Sequence, residues 1–365
     1  MNIFSDKRIV LTLDAGGTNF VFNAVQGGEV ILQPIVLPAK HETLEKAMTM
    51  MIDGFREVKS LLKHPPVAIS FAFPGPAEYE TGIIGDLENL PLFQGGVALG
   101  PMLEEQFNIP VFINNDGDLF AYGEAIAGLL PRINALLGER GSPKQFRNLF
   151  GATFGTGFGG GIVSKGVLFT GDNSAQGEIN RMRNKLYPEY SVEESVSIRG
   201  VQRVYARESG TKSLHLTPKD IFEIGMEQKN SDQKAALKAF EELAIVAGDS
   251  FANALTLLDG LVVIGGGLSG AYPLFLEKLV DEMNHQFNSA NDRPLDRMEL
   301  RAFNLEDKQE LEMFLTGNLK EITIPFSHKT IKYDAMKRIG VGISQLGTNK
   351  AVSIGAYAFA LNQLT

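Results

Sequence analysis

Residues 10–20, VLTLDAGGTNF, limit the folds open to this chain more than any other stretch. A short apolar run, residues 9–13, ends on Asp14, and Gly16, Gly17 and Thr18 follow at once. That is the pattern of a buried strand delivering a carboxylate to a tight turn, where backbone without side chains lets N–H groups close on an anion. Asp-x-Gly-Gly is equally a way to turn a hairpin, so the remainder of the chain must decide.

At 365 residues the chain has material for two domains, each with its own core. The absence of cysteine excludes disulfides, thiolate zinc sites and a catalytic thiol. His41, His64, His215, His285 and His328 have no ligand spacing. A net charge of −9 argues against a nucleic-acid footprint, which needs a basic face. Any polyanion must then be held locally, by backbone N–H groups, helix N-termini or a cation. No apolar run is long enough for a membrane span and the N-terminus lacks a signal-peptide pattern, so a cytoplasmic protein is expected.

Along the chain, residues 20–26 and 30–37 continue the opening strand as an antiparallel meander. Apolar residues at three- and four-residue spacing predict a helix over 44–62, stopped by Pro65 and Pro66. Residues 67–73 (VAISFAF) predict a strand covered on both faces, followed by a Pro-Gly-Pro turn. A short helix over 101–107 leads to a strand at 111–114 that ends on Asn115 and Asp116. Chemistry at the carboxyl ends of strands is how α/β proteins place their sites. A helix over 119–128 crosses into the second half, and 131–147 reads as a surface excursion. The opening motif then recurs as a strand at 149–154, GTGFGGG, and a second strand near 167–169, which suggests an internal duplication. A long amphipathic helix over 231–258 precedes a buried strand at 261–264, a Gly-Gly-Gly turn and a helix over 272–287. Residues 291–348 read as an elaboration with helical and strand segments, and 351–361 as an apolar helix at the domain junction.

Two segments match G-x-G-x-x-G, at Gly155/Gly157/Gly160 and Gly265/Gly267/Gly270. A dinucleotide fingerprint must open a helix and meet an acidic strand end about 20 residues on. The first match continues into a strand, and the acidic residues after the second, Asp281 and Glu282, fall inside a helix. No G-x-x-x-x-G-K-[ST] is present, which removes P-loop binding.

The remaining parts, in this order and spacing, resemble the ROK family of sugar kinases and repressors. LDAGGTN is similar to its first phosphate loop, FPGPAEYETGII to its substrate-side loop, INNDGDLFAYGE to its Asn-Asp…Gly-Glu segment and ATFGTGFGGGIV to its second phosphate loop; Gly177–Ile179, VIGGGLSGA and IGAYAFAL complete the likeness. The resemblance implies an α/β, two-domain actin-like ATPase (ribonuclease H-like) fold with duplicated mixed-sheet domains and an inter-domain cleft. The expected boundaries are 1–118 plus 350–365 for the small domain and 119–349 for the large one. It implies glucokinase-like transfer of the ATP γ-phosphoryl group to the 6-hydroxyl of a hexose, glucose foremost. Fructose, mannose or an N-acetylhexosamine are the alternatives, and a non-catalytic sugar sensor is the alternative of another class. A homodimer is a further family expectation. Only eight residues precede the first strand, too few for a helix-turn-helix.

By the same resemblance, Asp14 holds Mg²⁺ through water, with Gly16, Gly17, Thr18, Gly155, Thr156 and Gly157 on the phosphates and Gly266 and Gly267 against adenosine. Asp116 is the implied general base for the sugar hydroxyl; the residues themselves equally allow Asn115-Asp116 to cap the next helix. The implied sugar contacts are Gly75, Asn89, Asn115, Asp116, Glu178, Asn180 and Glu193. Two departures matter. Most members follow Gly-Glu-Ile with Gly-His and a zinc-binding cysteine cluster, whereas Asn180 stands at the histidine position and no thiolate exists. Asp118 replaces a usual asparagine.

Overall fold

The computed structural model describes residues 3–16, 18–87, 91–211 and 215–364. The first lobe grows from β1 (Val10–Ala15), whose first four residues are buried, paired antiparallel with β2 (Asn19–Gln26). β2 carries β3 (Glu29–Val30) and β4 (Ile35–Pro38) on its other side, so the expected second meander strand is broken in two. α1 (Leu44–Ser60) starts where Thr43 Oγ1 accepts the Lys46 N–H. β5 (Ala68–Ala72) runs parallel to β1. β6 (Ala77–Glu78), β7 (Ile83–Ile84) and β8 (Val97–Ala98) form a small separate sheet beyond it. α2 (Leu99–Phe107) ends at Asn108 in the left-handed conformation, and β9 (Val111–Asn114) lies parallel to β5. Phe55 of α1 closes this core, 5.0 Å from the Phe22 ring, 5.9 Å from Phe71 and 6.0 Å from Phe107; each such ring pair contributes about 0.5–1.5 kcal/mol beyond burial.

The chain then enters α3 (Asp116–Ala127) and α4 (Leu129–Glu139). α4 overturns the expectation of a surface excursion: Leu130, Ile133 and Leu137 are buried, and Pro131 sits in the first turn, where its missing N–H has no helical partner to lose. The second sheet repeats the first. β10 (Leu149–Phe154) pairs antiparallel with β11 (Phe158–Ser164), which takes β12 (Val167–Phe169). After α5 (Ile198–Ser209), α6 (Pro218–Gly225) and the 26-residue α7 (Gln233–Leu258), β13 (Leu261–Gly265) joins β10 in parallel. The helix expected over 272–287 is a short 3₁₀ turn followed by α8 (Leu276–Met283), because Pro273 interrupts the first part. Beyond it come a small hairpin, β14 (Gln286–Asn288) and β15 (Pro294–Asp296), then β16 (Arg301–Asn304) and α9 (Lys308–Thr316). A second hairpin, β17 (Leu319–Thr323) and β18 (Thr330–Asp334), projects with Leu319, Ile322, Ile331 and Tyr333 exposed. It is rooted by the buried Arg338, 2.7 Å from Asp334, at the start of β19 (Arg338–Ile343). β19 lies between β13 and β16, parallel to both. Each lobe is therefore an antiparallel meander extended by parallel strands, the duplicated mixed-sheet plan.

α10 (Thr348–Gln363) returns to the first lobe, where the Tyr357 hydroxyl accepts the Gly27 N–H at 3.0 Å and donates to the Arg8 carbonyl at 3.1 Å. α10 also crosses α3. A Cβ on Gly123 would collide with the Ala351 carbonyl, and one on Gly355 with the Leu119 carbonyl, so the two backbones touch with no side chain between them. At this crossing Gly123→Ala forces the helices apart. The expected cost is about 1–3 kcal/mol, seen as a lower Tm in calorimetry, and it exceeds the roughly 1 kcal/mol of helix propensity that alanine returns.

Candidate functional site

The β10–β11 turn borders a cleft, and the end of β1 borders a recess adjoining it. In the second lobe, β10 and β11 close from the Phe154–Phe158 pair onto Gly155, Thr156 and Gly157, with the Gly155 N–H donating to the Gly157 carbonyl at 3.0 Å. The Ile198 N–H, at the start of α5, donates to the Gly155 carbonyl at 2.8 Å. Glu193 braces the same turn, one oxygen accepting the Phe158 N–H at 3.0 Å and the other paired with Arg199 at 2.7 Å. Its carboxylate is thus engaged by the chain itself. Gly266 lies at φ +87°, where a side chain would strike the Phe154 carbonyl, and its N–H donates to Thr348 Oγ1 at 2.9 Å. Gly267 is exposed beside it.

Across the cleft, β9 runs into α3 through Asn115, whose Oδ1 accepts the Gly117 N–H at 2.8 Å. Asn115 is the N-cap; Asp116 is the first helical residue, and its own Oδ1 accepts the same N–H at 2.9 Å. The Asp116 carboxylate is open to the cleft but hemmed in by its walls. Burial pushes its pKa above the ordinary aspartate value, against the pull of the Gly117 N–H. Tyr79 fixes the far wall, donating to the Phe73 carbonyl at 2.9 Å and receiving Asn115 Nδ2 at 3.5 Å; burial raises its pKa and keeps the hydroxyl protonated. Gly75, Tyr79, Asn115, Asp116, Glu178, Asn180, Glu193 and the 155–157 turn all border one cleft of about 970 Å³. Asn180 Oδ1 is buried there without a hydrogen-bond partner, an acceptor left over for a ligand. Asn89 and Gly17 lie outside the described residues.

Asp14, at the end of β1, borders an adjoining recess of about 570 Å³ that shares Pro74, Asp116 and Thr348 with the cleft. Asn349 Nδ2 approaches its carboxylate at 3.4 Å, and burial raises its pKa. Gly16 and Thr18 occupy the β1–β2 turn, where a Cβ on Gly16 would meet the Asn19 carbonyl at 2.9 Å and the Thr18 carbonyl accepts the Ala39 N–H. No cluster of three metal-ligating side chains occurs among the described residues. One carboxylate with a neighbouring amide fits Mg²⁺, which keeps its waters and takes most of its remaining ligands from substrate phosphates. Thr348 and Asn349 were not singled out in the sequence. Their signal was the Gly-Thr-Asn preceding an apolar helical run, a helix N-terminus signature.

The segment that follows Glu178 and Asn180 is held by a polar hub. Asn184 is fully buried; its Oδ1 accepts the Leu186 and Tyr187 N–H groups at 2.9 and 3.1 Å, and its Nδ2 donates to Ser195 Oγ at 2.9 Å. Ser195 and Tyr187 donate in turn to Glu242 of α7, which pairs with Arg207 of α5 at 2.9 Å. This hub answers what orders a loop that has no thiolates to bind a metal.

The sequence signature of the ROK family matches residues 10–311. The crystal structure of a glucokinase from Parabacteroides distasonis superposes with a TM-score of 0.92 at 53% identity, covering 99% of each chain. A glucokinase of Halalkalibacterium halodurans is 26% identical over 303 residues, 74% of this chain and 84% of its own. An N-acetyl-D-glucosamine kinase of Vibrio cholerae is 29% identical over 231 residues, 58% of this chain and 68% of its own. Two mixed-sheet lobes of the same plan define an actin-like ATPase fold, and within it the chain belongs to the ROK family. It is a sugar kinase.

Asn184→Ala strips an acceptor from two backbone N–H groups and a partner from Ser195. Unfolding in urea is expected to show a loss of at least about 1–3 kcal/mol, and unchanged stability would remove Asn184 as the hub.

Proposed function

We propose that this sugar kinase is ATP-dependent and transfers the γ-phosphoryl group to the 6-hydroxyl of a hexose, with glucose preferred. The observation that carries the reading is Asp116: a carboxylate on the shared edge of two recesses, one bordered by Asn115, Glu178, Asn180 and the 155–157 turn, the other by Asp14 and Asn349. The likeness to the Parabacteroides distasonis glucokinase supports glucose. We take residues 1–118 plus 350–365 and 119–349 as the two lobes of the clamp.

In this reading Asp116 accepts the proton of the sugar hydroxyl as its oxygen bonds to phosphorus. Burial, by raising its pKa, makes it a stronger base than a solvated aspartate. The N–H groups of Thr156 and Gly157 and the first turn of α10 at Thr348 supply hydrogen-bond donors for phosphate in a chain that is acidic overall. Gly266, drawn onto Thr348, leaves backbone free to lie against the nucleotide. Asp14, beside Asn349, would hold Mg²⁺ through water; when bound, the ion supplies neutralisation of phosphate charge. Glu193 keeps the turn closed, a positioning task that its two chain contacts support.

Asp116→Asn is expected to lower kcat by about 10²–10⁴-fold with sugar binding retained, measured by coupled ADP release and by sugar titration. Near-normal turnover would sink the assignment. Because only ionised Asp116 works as a base, kcat of the wild type falls as pH drops through its raised pKa. The acid limb should therefore have its midpoint above the ordinary aspartate value of about 3.9. The same assay across glucose, fructose, mannose and N-acetylhexosamines decides the sugar; binding without turnover of any of them would favour a sensor.

A further inference from the structure

Asp118 is the third residue of α3, two positions beyond the base, and is 2% exposed. Its Oδ2 accepts Gln176 Nε2 at 2.7 Å. The other oxygens of the same two side chains, Asp118 Oδ1 and Gln176 Oε1, are both buried with no hydrogen-bond partner. Two acceptors shut away from solvent on one pair of side chains is an expensive arrangement. A single proton on Asp118 Oδ1 resolves it, because the acid can then donate to Gln176 Oε1 while accepting from Gln176 Nε2.

The charged surroundings favour that proton. The titratable groups facing Asp118 are Asp116 on its own helix, Glu178 from the loop and Tyr79 from the first lobe. β10, β11 and β12, which pack on α3, contain no charged residue. The one charged side chain of α10, Lys350, is engaged by Glu29 at 3.1 Å, and Arg132 of α4 acts on Glu124 at the other end of α3.

We propose that Asp118 is a neutral carboxylic acid in the resting enzyme and that its two-bond clasp with Gln176 positions the loop bearing Glu178 and Asn180 against the helix bearing Asp116. Asp118 is a positioning residue, acting on sugar through Gln176 and the loop. Only that last role rests on the hexose-kinase reading; the clasp itself does not. Burial pushes the Asp118 pKa up to about 8, the Gln176 hydrogen bond pulling the other way and Asp116 and Glu178 adding to the rise. For an acid whose pKa is raised in the folded state, folding stability declines as pH climbs from the unfolded value to the folded one and levels off above it. Ionisation above about pH 8 thus opens the clasp.

The test uses the full chain and three forms: wild type, Asp118→Asn and Asp118→Ala. Asparagine reproduces the neutral acid, with Nδ2 donating and Oδ1 accepting, and does not titrate. In infrared difference spectra without substrate, wild type minus Asp118→Asn should show a protonated-carboxyl C=O band at pH 7 that fades as pH passes about 8. Over the same interval the wild-type KM for sugar should rise roughly three- to tenfold, the loss expected for one neutral hydrogen bond, while Asp118→Asn stays level and Asp118→Ala is raised at every pH. Absence of the band at pH 7, or the same alkaline rise in Asp118→Asn, overturns the proposal. The band needs no turnover, so a failure of the clasp is distinguishable from a failure of the kinase assignment.

Discussion

Everything in this molecule hangs on one backbone-to-backbone crossing, that of α3 and α10. With Gly123 set against Ala351 and Gly355 against Leu119, the helices approach as closely as main chains allow. Each belongs to a different packing layer. α3 lies against β10 and β11, where Gly151 meets Ala121 and Gly117 meets Gly160, while α10 is pinned to the first lobe through Tyr357. The crossing also brings two helix N-termini, at Asn115–Asp116 and at Thr348, to the edge shared by the cleft and its adjoining recess. Their partial positive charge supplies in fixed dipoles what an acidic chain lacks in free cations. A separation of the helices would therefore act on Asp116 and Thr348 together.

The cleft wall is stabilised by neutral hydrogen bonds more than by ion pairs. Asn115, Tyr79, Ser174 and Thr348 bind backbone or one another. Glu193 illustrates an ion pair. With Arg199 on one oxygen and the Phe158 N–H on the other, it is part of the turn's own structure. Carboxylates without cationic partners, Asp14, Asp116 and Asp118, all have raised pKa values because they are crowded rather than because they repel strongly.

Much of this was legible in the sequence because it is written in short-range patterns. The β1 and β10 strands are apolar runs that end on glycine turns, and the helices α1, α7 and α10 carry their periodicity openly. α4 was not, since 131–147 is polar and basic in patches, and Leu130, Ile133 and Leu137 are buried beneath that polar face. α5 and α6 passed unassigned although Ser197 and the Thr217–Asp220 capping box announce them; in α5 a basic, polar surface face masked the apolar stripe. Candidate site residues on strand ends could be named from motif likeness. Partners that arrive from far along the chain could not: nothing near Glu193 points to Phe158, and nothing near Asp14 points to Asn349, 335 residues away. Register and crossing are tertiary facts.

The Asn184 hub has a consequence for how the molecule becomes competent. Its members come from Asn184, from Ser195 and from two helices, so the stretch from Asn184 to Ser195 acquires its shape when α5 and α7 dock. Order in that stretch is then a property of the folding transition, with no later assembly step to wait for. In a chain without a single thiol, that order also depends on no disulfide.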